Sequence, residues 1–273
     1  MAARENPLDH YIIRGGEAGK KRLDLLARVQ EPTTLALLDK LDIRPGERFI
    51  DLGCGGGHVS IEAARRVGAG GSVVGVDLDA TKLALARQSA EEGGLGNIDF
   101  RECKADEIVE SDSFDVAYAR FLLTHLSDPL AVLRAMLKAL KPGARVALED
   151  IDFRGVFSHP PSPHVERFAE LYTVAVRHKG GDANIGPRLP SLLREAGFEQ
   201  IGASVVQVAY LDGDLKRILL ATMEGIADAA LAAGMATVEE LGQTVEGLRA
   251  FTDDPTTFLS MPRVVQAWGV KPS

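Results

Sequence analysis

The chain has 273 residues, 45% of them apolar and 26% charged, enough for one large domain or a core domain with an appended cap, and a mix that argues against disorder. A net charge of −8, with no run of four or more basic residues, argues against a nucleic-acid substrate, whose phosphates call for Lys and Arg. The two cysteines, Cys54 and Cys103, make no CxxC pair, which argues against a zinc site or disulfide scaffold and fits a reducing cytoplasm.

In chain order, Met1 to Pro7 lacks the apolar stretch of a signal peptide. Residues 18–40 carry leucines and valines at helical spacing, and Pro32 predicts a division into two helices. After the turn Arg44 to Glu47, a short strand over 48–52 runs into glycines, and a helix follows over 59–67. Residues 72–77 form a continuous apolar run, the pattern of a strand covered on both faces. A helix over 81–92, strands over 97–102 and 114–119, a helix over 129–140 capped by Asp128, and a strand over 144–149 complete an alternating series. Pro160, Pro161 and Pro163 mark a loop. Helices follow at 164–178 and 188–196, then a β-rich run over 201–210, a helical stretch over 213–252 and a last strand over 264–270. The most apolar long stretch, Leu215 to Met235, carries Glu224 and Asp228 and reads as buried helix rather than a membrane span.

This order predicts an α/β fold with a doubly wound, mostly parallel sheet of seven strands, an N-terminal helical lid and a helical insertion before the last strand. The chain divides as one domain: a lid over 1–44, a core over 45–152, substrate-side helices and the sixth strand over 153–210, a cap insertion over 211–257 and the last strand over 258–273. The apolar faces of the insertion read either as a cap over a small-molecule pocket or as a homodimer interface.

The chemistry concentrates where the first strand meets its glycines. Glycines permit left-handed backbone and close approach of a ligand, and the following helix start offers unpaired N–H groups. A dinucleotide site would want a third glycine at position 58, where this chain has His58. The pattern is instead Gly53-x-Gly55-x-Gly57, preceded by Asp51. Phe49-Ile50-Asp51-Leu52-Gly53-Cys54-Gly55-Gly56-Gly57 resembles the first motif of class I, Rossmann-like methyltransferases dependent on S-adenosylmethionine (SAM). Val74-Gly75-Val76-Asp77, Cys103-Lys104-Ala105-Asp106, Phe114-Asp115-Val116 and Leu140-Lys141-Pro142-Gly143-Ala144 resemble their later motifs, in order and in register, with Ala144 in place of a usual glycine.

The resemblance implies SAM as cofactor and S-adenosylhomocysteine (SAH) as product. It implies that Asp77 grips the ribose hydroxyls, Asp106 the adenine amino group, and Leu78 and Ala105 the ring faces. Backbone at Gly53 and at Ala119 or Arg120 would hold the methionine moiety, Cys54 and Gly55 of the same turn would bind the cofactor too, with the Cys54 side chain a small filler rather than a nucleophile, and Asp51 would orient the turn or reach the amino group. The segment Tyr11 to Leu23 resembles a lid found in a subset of these enzymes, with Tyr11 and Arg22 as contacts. On the substrate side the candidates are His125, in a segment resembling H-L-x-D-P, and Asp150; either would serve as an optional base. His159 and His164 read as surface loop histidines. The expected activity is methyl transfer to an O or N atom of a small organic acceptor, mainly by proximity and desolvation. The alternatives are SAM binding without transfer and an NAD-dependent oxidoreductase. No metal is expected.

Overall fold

The computed structural model describes residues 16–273. After helix α1 (Gly16–Lys40) the chain runs through β1 (Arg48–Leu52), α2 (His58–Val67), β2 (Ser72–Asp77), α3 (Ala80–Glu92), β3 (Ile98–Glu102), β4 (Phe114–Arg120), α4 (Pro129–Ala139) and β5 (Leu140–Asp152). It continues through β6 (Phe157–His159), α5 (Pro163–His178), α6 (Leu189–Ala196), β7 (Glu199–Val206) and β8 (Ala209–Tyr210). Helices α7 (Ile218–Ala232) and α8 (Val238–Asp253) then precede β9 (Phe258–Ser260) and β10 (Arg263–Val270).

Local chemistry sets many of these ends. Asp79 accepts from the N–H groups of Thr81 and Lys82 to start α3, and Asp128 accepts from Ala131 N–H ahead of Pro129 to start α4. Thr237 and Glu240 close a reciprocal capping pair at the start of α8.

Seven strands form one sheet in the order β3-β2-β1-β4-β5-β10-β7, with β10 antiparallel to both of its neighbours. The remaining pairs are parallel, and strand order reverses between β1 and β4. Open α/β sheets place their ligand crevice at such a reversal. One face packs Ile50, Leu52, Ala117 and Leu148 against α4 and α6. The other packs Phe49, Tyr118 and Val73 against α2 and the C-terminal half of α1. A separate apolar body joins α1, α5, α7 and α8 around Phe168, Tyr172, Met223 and Leu248.

Three expectations are corrected, and a fourth is refined. Pro32 does not divide the first helix, and α1 continues through it. Buried Val29 before the proline and buried Leu37 and Leu38 after it hold both halves on the body of the molecule, which offsets a cost of about 3 kcal/mol for an internal proline. The fifth strand starts earlier and ends later than 144–149, because Leu140 pairs with Phe114 and Asp152 with Arg263. The run over 201–210 splits into β7 and β8, and β8 joins β9 and β6 in a small second sheet. The Gln207 side chain marks the break, donating to Gly155 O, Ser260 Oγ and Met261 O. The stretch over 213–252 is two helices, interrupted at Gly234, which has φ 65°.

A single side chain fastens this insertion. Lys216 is fully buried, and its ammonium donates to Leu211 O (2.9 Å), Asp254 O (2.7 Å), Thr257 O (2.8 Å) and Thr257 Oγ1 (2.6 Å). Burial pulls its pKa below the usual lysine range. Among the described residues no helix is long and apolar enough to cross a membrane.

Candidate functional site

The turn after β1 alternates its backbone conformation. Gly53, Gly55 and Gly57 have φ of 70°, 52° and 76°, all left-handed. The N–H groups of Gly53 and Cys54 both donate to Val76 O on β2, at 2.7 and 3.0 Å. The glycines have different reasons to be bare. A Cβ on Gly57 would stand 2.8 Å from Ala86 Cβ and 2.9 Å from Phe100, so that glycine lets α2 and α3 close on the sheet. A Cβ on Gly55 would meet nothing within 4 Å and would project into open space.

That space is a cavity of about 520 Å³ at the carboxyl ends of β1, β2 and β4, a size suited to a cofactor with a small partner. Its polar end is built on the sheet. Asp77 accepts from Gly55 N–H (2.9 Å) through one oxygen and from Asp79 N–H (2.9 Å) through the other, so the turn and the carboxylate are one rigid unit. Asp51 is buried, accepts from Ser60 Oγ at 2.6 Å, and is pushed up to about 7, chiefly by burial. Leu78, Ala105 and Asp106 line the same end.

The far end is apolar. Leu26 and Val29 of α1, Phe153 just after β5, Phe168 and Tyr172 of α5, and Leu219 of α7 line it. Phe153 and Tyr172 stack with ring centres 4.1 Å apart and an interplanar angle of 10°. Arg22 reaches the cavity from α1, and its Nε donates to Thr222 Oγ1 on α7 at 3.1 Å.

Asp51, Gly53, Cys54, Gly55, Asp77, Leu78, Ala105, Asp106, Arg120, Arg22 and His125 therefore share one cavity. Ala119 does not line it; the side chain is buried in the core below α4. Asp150 does not line it either. Its carboxylate is fully buried within β5 and accepts from the N–H groups of Thr124 (3.0 Å) and Ile151 (2.9 Å), and burial pushes it up to about 7. Asp150 thus pins the turn Leu123–His125 from behind, and the expectation that it faces the pocket is corrected. Tyr11 lies outside the described residues. His164 packs on α8, where its ring leaves no room for a Cβ at Gly247, and His159 sits in β6; neither lines the cavity.

His125 is half-buried, and burial, aided by Arg22 and Lys82, pushes its imidazole down to about 3. It is neutral at physiological pH and a weak proton acceptor. Burial also raises the Cys54 thiol well above its ordinary range, consistent with a filler rather than a nucleophile. His58 contacts Asp24 of α1 at 3.2 Å, tying the glycine turn to the first helix.

The sequence reading missed a buried polar network behind the cavity. Arg120 donates to Thr34 Oγ1 (2.9 Å), and Thr34 donates to Glu149 Oε2 (2.8 Å). Glu149 also accepts from the Tyr118 hydroxyl and from Gln266 Nε2. The signal available was an acidic residue, Glu149, directly after the apolar run Val146 to Leu148. Its partners on α1 and β10 lie 115 and 117 positions away, beyond any local motif.

Comparisons with known proteins agree with one another. The family described as methyltransferase domain matches residues 43–196. The ubiquinone biosynthesis O-methyltransferase of Hahella chejuensis is 36% identical over 133 residues, 48% of this chain and 52% of that protein. The nocamycin O-methyltransferase of Saccharothrix syringae is 31% identical over 221 residues, 80% of this chain and 69% of that protein. The chain thus spans about half the length of the first relative and about two thirds of the second. Among solved structures, a SAM dependent methyltransferase from Aquifex aeolicus matches with a TM-score of 0.53 at 22% identity, covering 71% of this chain and 94% of that one, a likeness of fold.

Proposed function

The chain belongs to the class I SAM-dependent methyltransferases, and from that membership we propose that it transfers a methyl group from SAM to an O or N atom of a small organic acceptor. The observation that carries the reading is the joint geometry of Gly55 and Asp77. A bare backbone faces open space, and a carboxylate is locked to that same backbone at the end of the neighbouring strand. The residues fit an amino-acid-bearing nucleoside. Asp77 would accept from the ribose hydroxyls, Asp106 from the adenine amino group, and Leu78 and Ala105 would take the ring faces. Asp51 would face the amino group of the methionine moiety. The Arg120 side chain, braced by Thr34, and Arg22, braced by Thr222, would face its carboxylate.

When bound, the cofactor would supply an electrophilic methyl group on a sulfonium, for which the acceptor would provide the lone pair, its proton passing to water. The chain's own contribution is placement and exclusion of water. The apolar helices α1, α5 and α7 close the far end of the cavity and would hold the acceptor against the sheet. His125 would accept a hydrogen bond as a neutral imidazole, and Asp150 positions the turn that carries it. A nicotinamide reading has no support in the turn, where His58 opens α2, or in the relatives. A cytoplasmic setting is part of the same proposal and rests on the two free thiols.

The test is calorimetric titration of SAH, followed by SAH release from SAM in the presence of a mixed acceptor extract. Micromolar binding that is lost in Gly55→Val, together with release that depends on extract, is the expected result. Binding without any release would leave SAM as a ligand only, and undiminished binding in Gly55→Val would remove the turn from the cofactor site.

A further inference from the structure

Resting on the assignment of the polar end to the cofactor, we propose that the apolar end is a chamber for a hydroxyl compound with a flat apolar body and that it rejects protonated amines.

The shape argument comes from α5 and its neighbours. Phe153 and Tyr172 lie nearly parallel, and Phe168 leans on both, with ring centres 5.9 and 6.2 Å away. With Leu26, Val29 and Leu219 these rings give walls of hydrocarbon, to which a flat or extended apolar body can mould with little loss.

The charge argument comes from how the ionisable groups are divided. The acids of the cavity wall, Asp51, Asp77, Asp106 and Asp128, all stand on the sheet side. Three of them are already engaged: Asp51 by Ser60, Asp77 by two backbone N–H groups, and Asp128 by Ala131 N–H. Among the described residues of the apolar end, the only charged side chain is Arg22, itself a buried cation. An ammonium group entering there would shed its water against hydrocarbon and meet no carboxylate among the residues that line that end. Aromatic faces attract cations, but Phe153 and Tyr172 turn one face of each ring onto the other, and that attraction is smaller than the cost of stripping an unpaired ammonium. A neutral hydroxyl carries no such cost, and the neutral imidazole of His125 adds no charge to the cavity wall. The group that enters is accordingly a neutral one, as a hydroxyl is.

The test uses a pair of probes alike in shape, 2-naphthalenemethanol and 2-naphthylmethylamine, titrated at pH 7 into protein saturated with SAH. The alcohol should bind at least about tenfold tighter than the amine. Leu219→Trp, which fills the chamber, should weaken the alcohol at least about tenfold while SAH affinity stays as it was. If that variant does not fold, Met261→Trp fills the chamber from another wall and should do the same. Equal or tighter binding of the amine, no binding of the alcohol, or alcohol affinity indifferent to a folded filling variant would overturn the chamber with the cofactor reading intact. Failure of SAH itself to bind would overturn the cofactor reading, and the chamber with it.

Discussion

The two ends of the cavity are made in opposite ways. At the sheet end the ligand-facing surface is largely backbone, with three left-handed glycines between β1 and α2 and a carboxylate bonded to their amides. At the helical end it is all side chain, supplied by α1, α5, α7 and the segment after β5, which are distant in sequence. Backbone geometry admits few solutions, so the first end is specific in detail. Side-chain walls tolerate exchange of one apolar group for another of similar volume, so the second end can differ while the fold stays.

That contrast predicts separable damage. The largest effect is expected from Phe168→Ala, which empties a fully packed position in the helical body. It should cost about 3–5 kcal/mol in denaturant unfolding yet leave SAH affinity within about twofold. A parallel loss of SAH binding in the folded variant would show that the two ends are one unit. Asp77→Ala is the converse. It should weaken SAH by about 1–3 kcal/mol in calorimetry with a smaller change in unfolding, since Asp77 is only partly buried. Unchanged affinity would remove Asp77 from the ribose assignment.

The smallest and sharpest test is pH. Burial raises the Asp51 carboxyl to about 7, so the folded protein holds this proton where an unfolded chain has already released it. Its contribution to stability is full below the ordinary carboxylate range and is lost as pH rises through about 7. An ammonium group beside Asp51 would favour the ionised form. SAH affinity should therefore rise with pH up to about 7 and fall by up to about tenfold for each unit below it. Asp51→Asn should flatten this profile; a steep profile that survives the substitution would place the titrating group elsewhere.

The same contrast explains what could be read in advance. The glycine turn, Asp77 and Asp106 sit in short segments whose spacing is imposed by strand–turn–helix geometry, and so their place on one cavity was legible in the sequence. Phe153, Phe168, Tyr172, Leu219 and Met261 carry no such spacing, because ordinary helical periodicity puts apolar residues on any inward face. Asp150 was misjudged for a related reason. Its position at the end of a strand was visible, but the direction of its carboxylate depends on the N–H groups of Thr124 and Ile151, and the first of these belongs to a turn that alternation of elements does not reveal. Pro32 misled because a local penalty was weighed without the packing of Val29 and Leu38 on either side of it.

The clasp on the insertion bears on how such a protein can change. The ammonium of Lys216 holds three main-chain carbonyls and one threonine hydroxyl, and makes no hydrogen bond to the side chain of Leu211 or Asp254. The Leu211 side chain can therefore change without loosening the joint, whereas the Asp254 carboxylate still favours the charge on Lys216. Helix α7 can then change the residues it turns toward the chamber, and the chamber can acquire new tastes, while the main-chain anchorage at Lys216 stays in place.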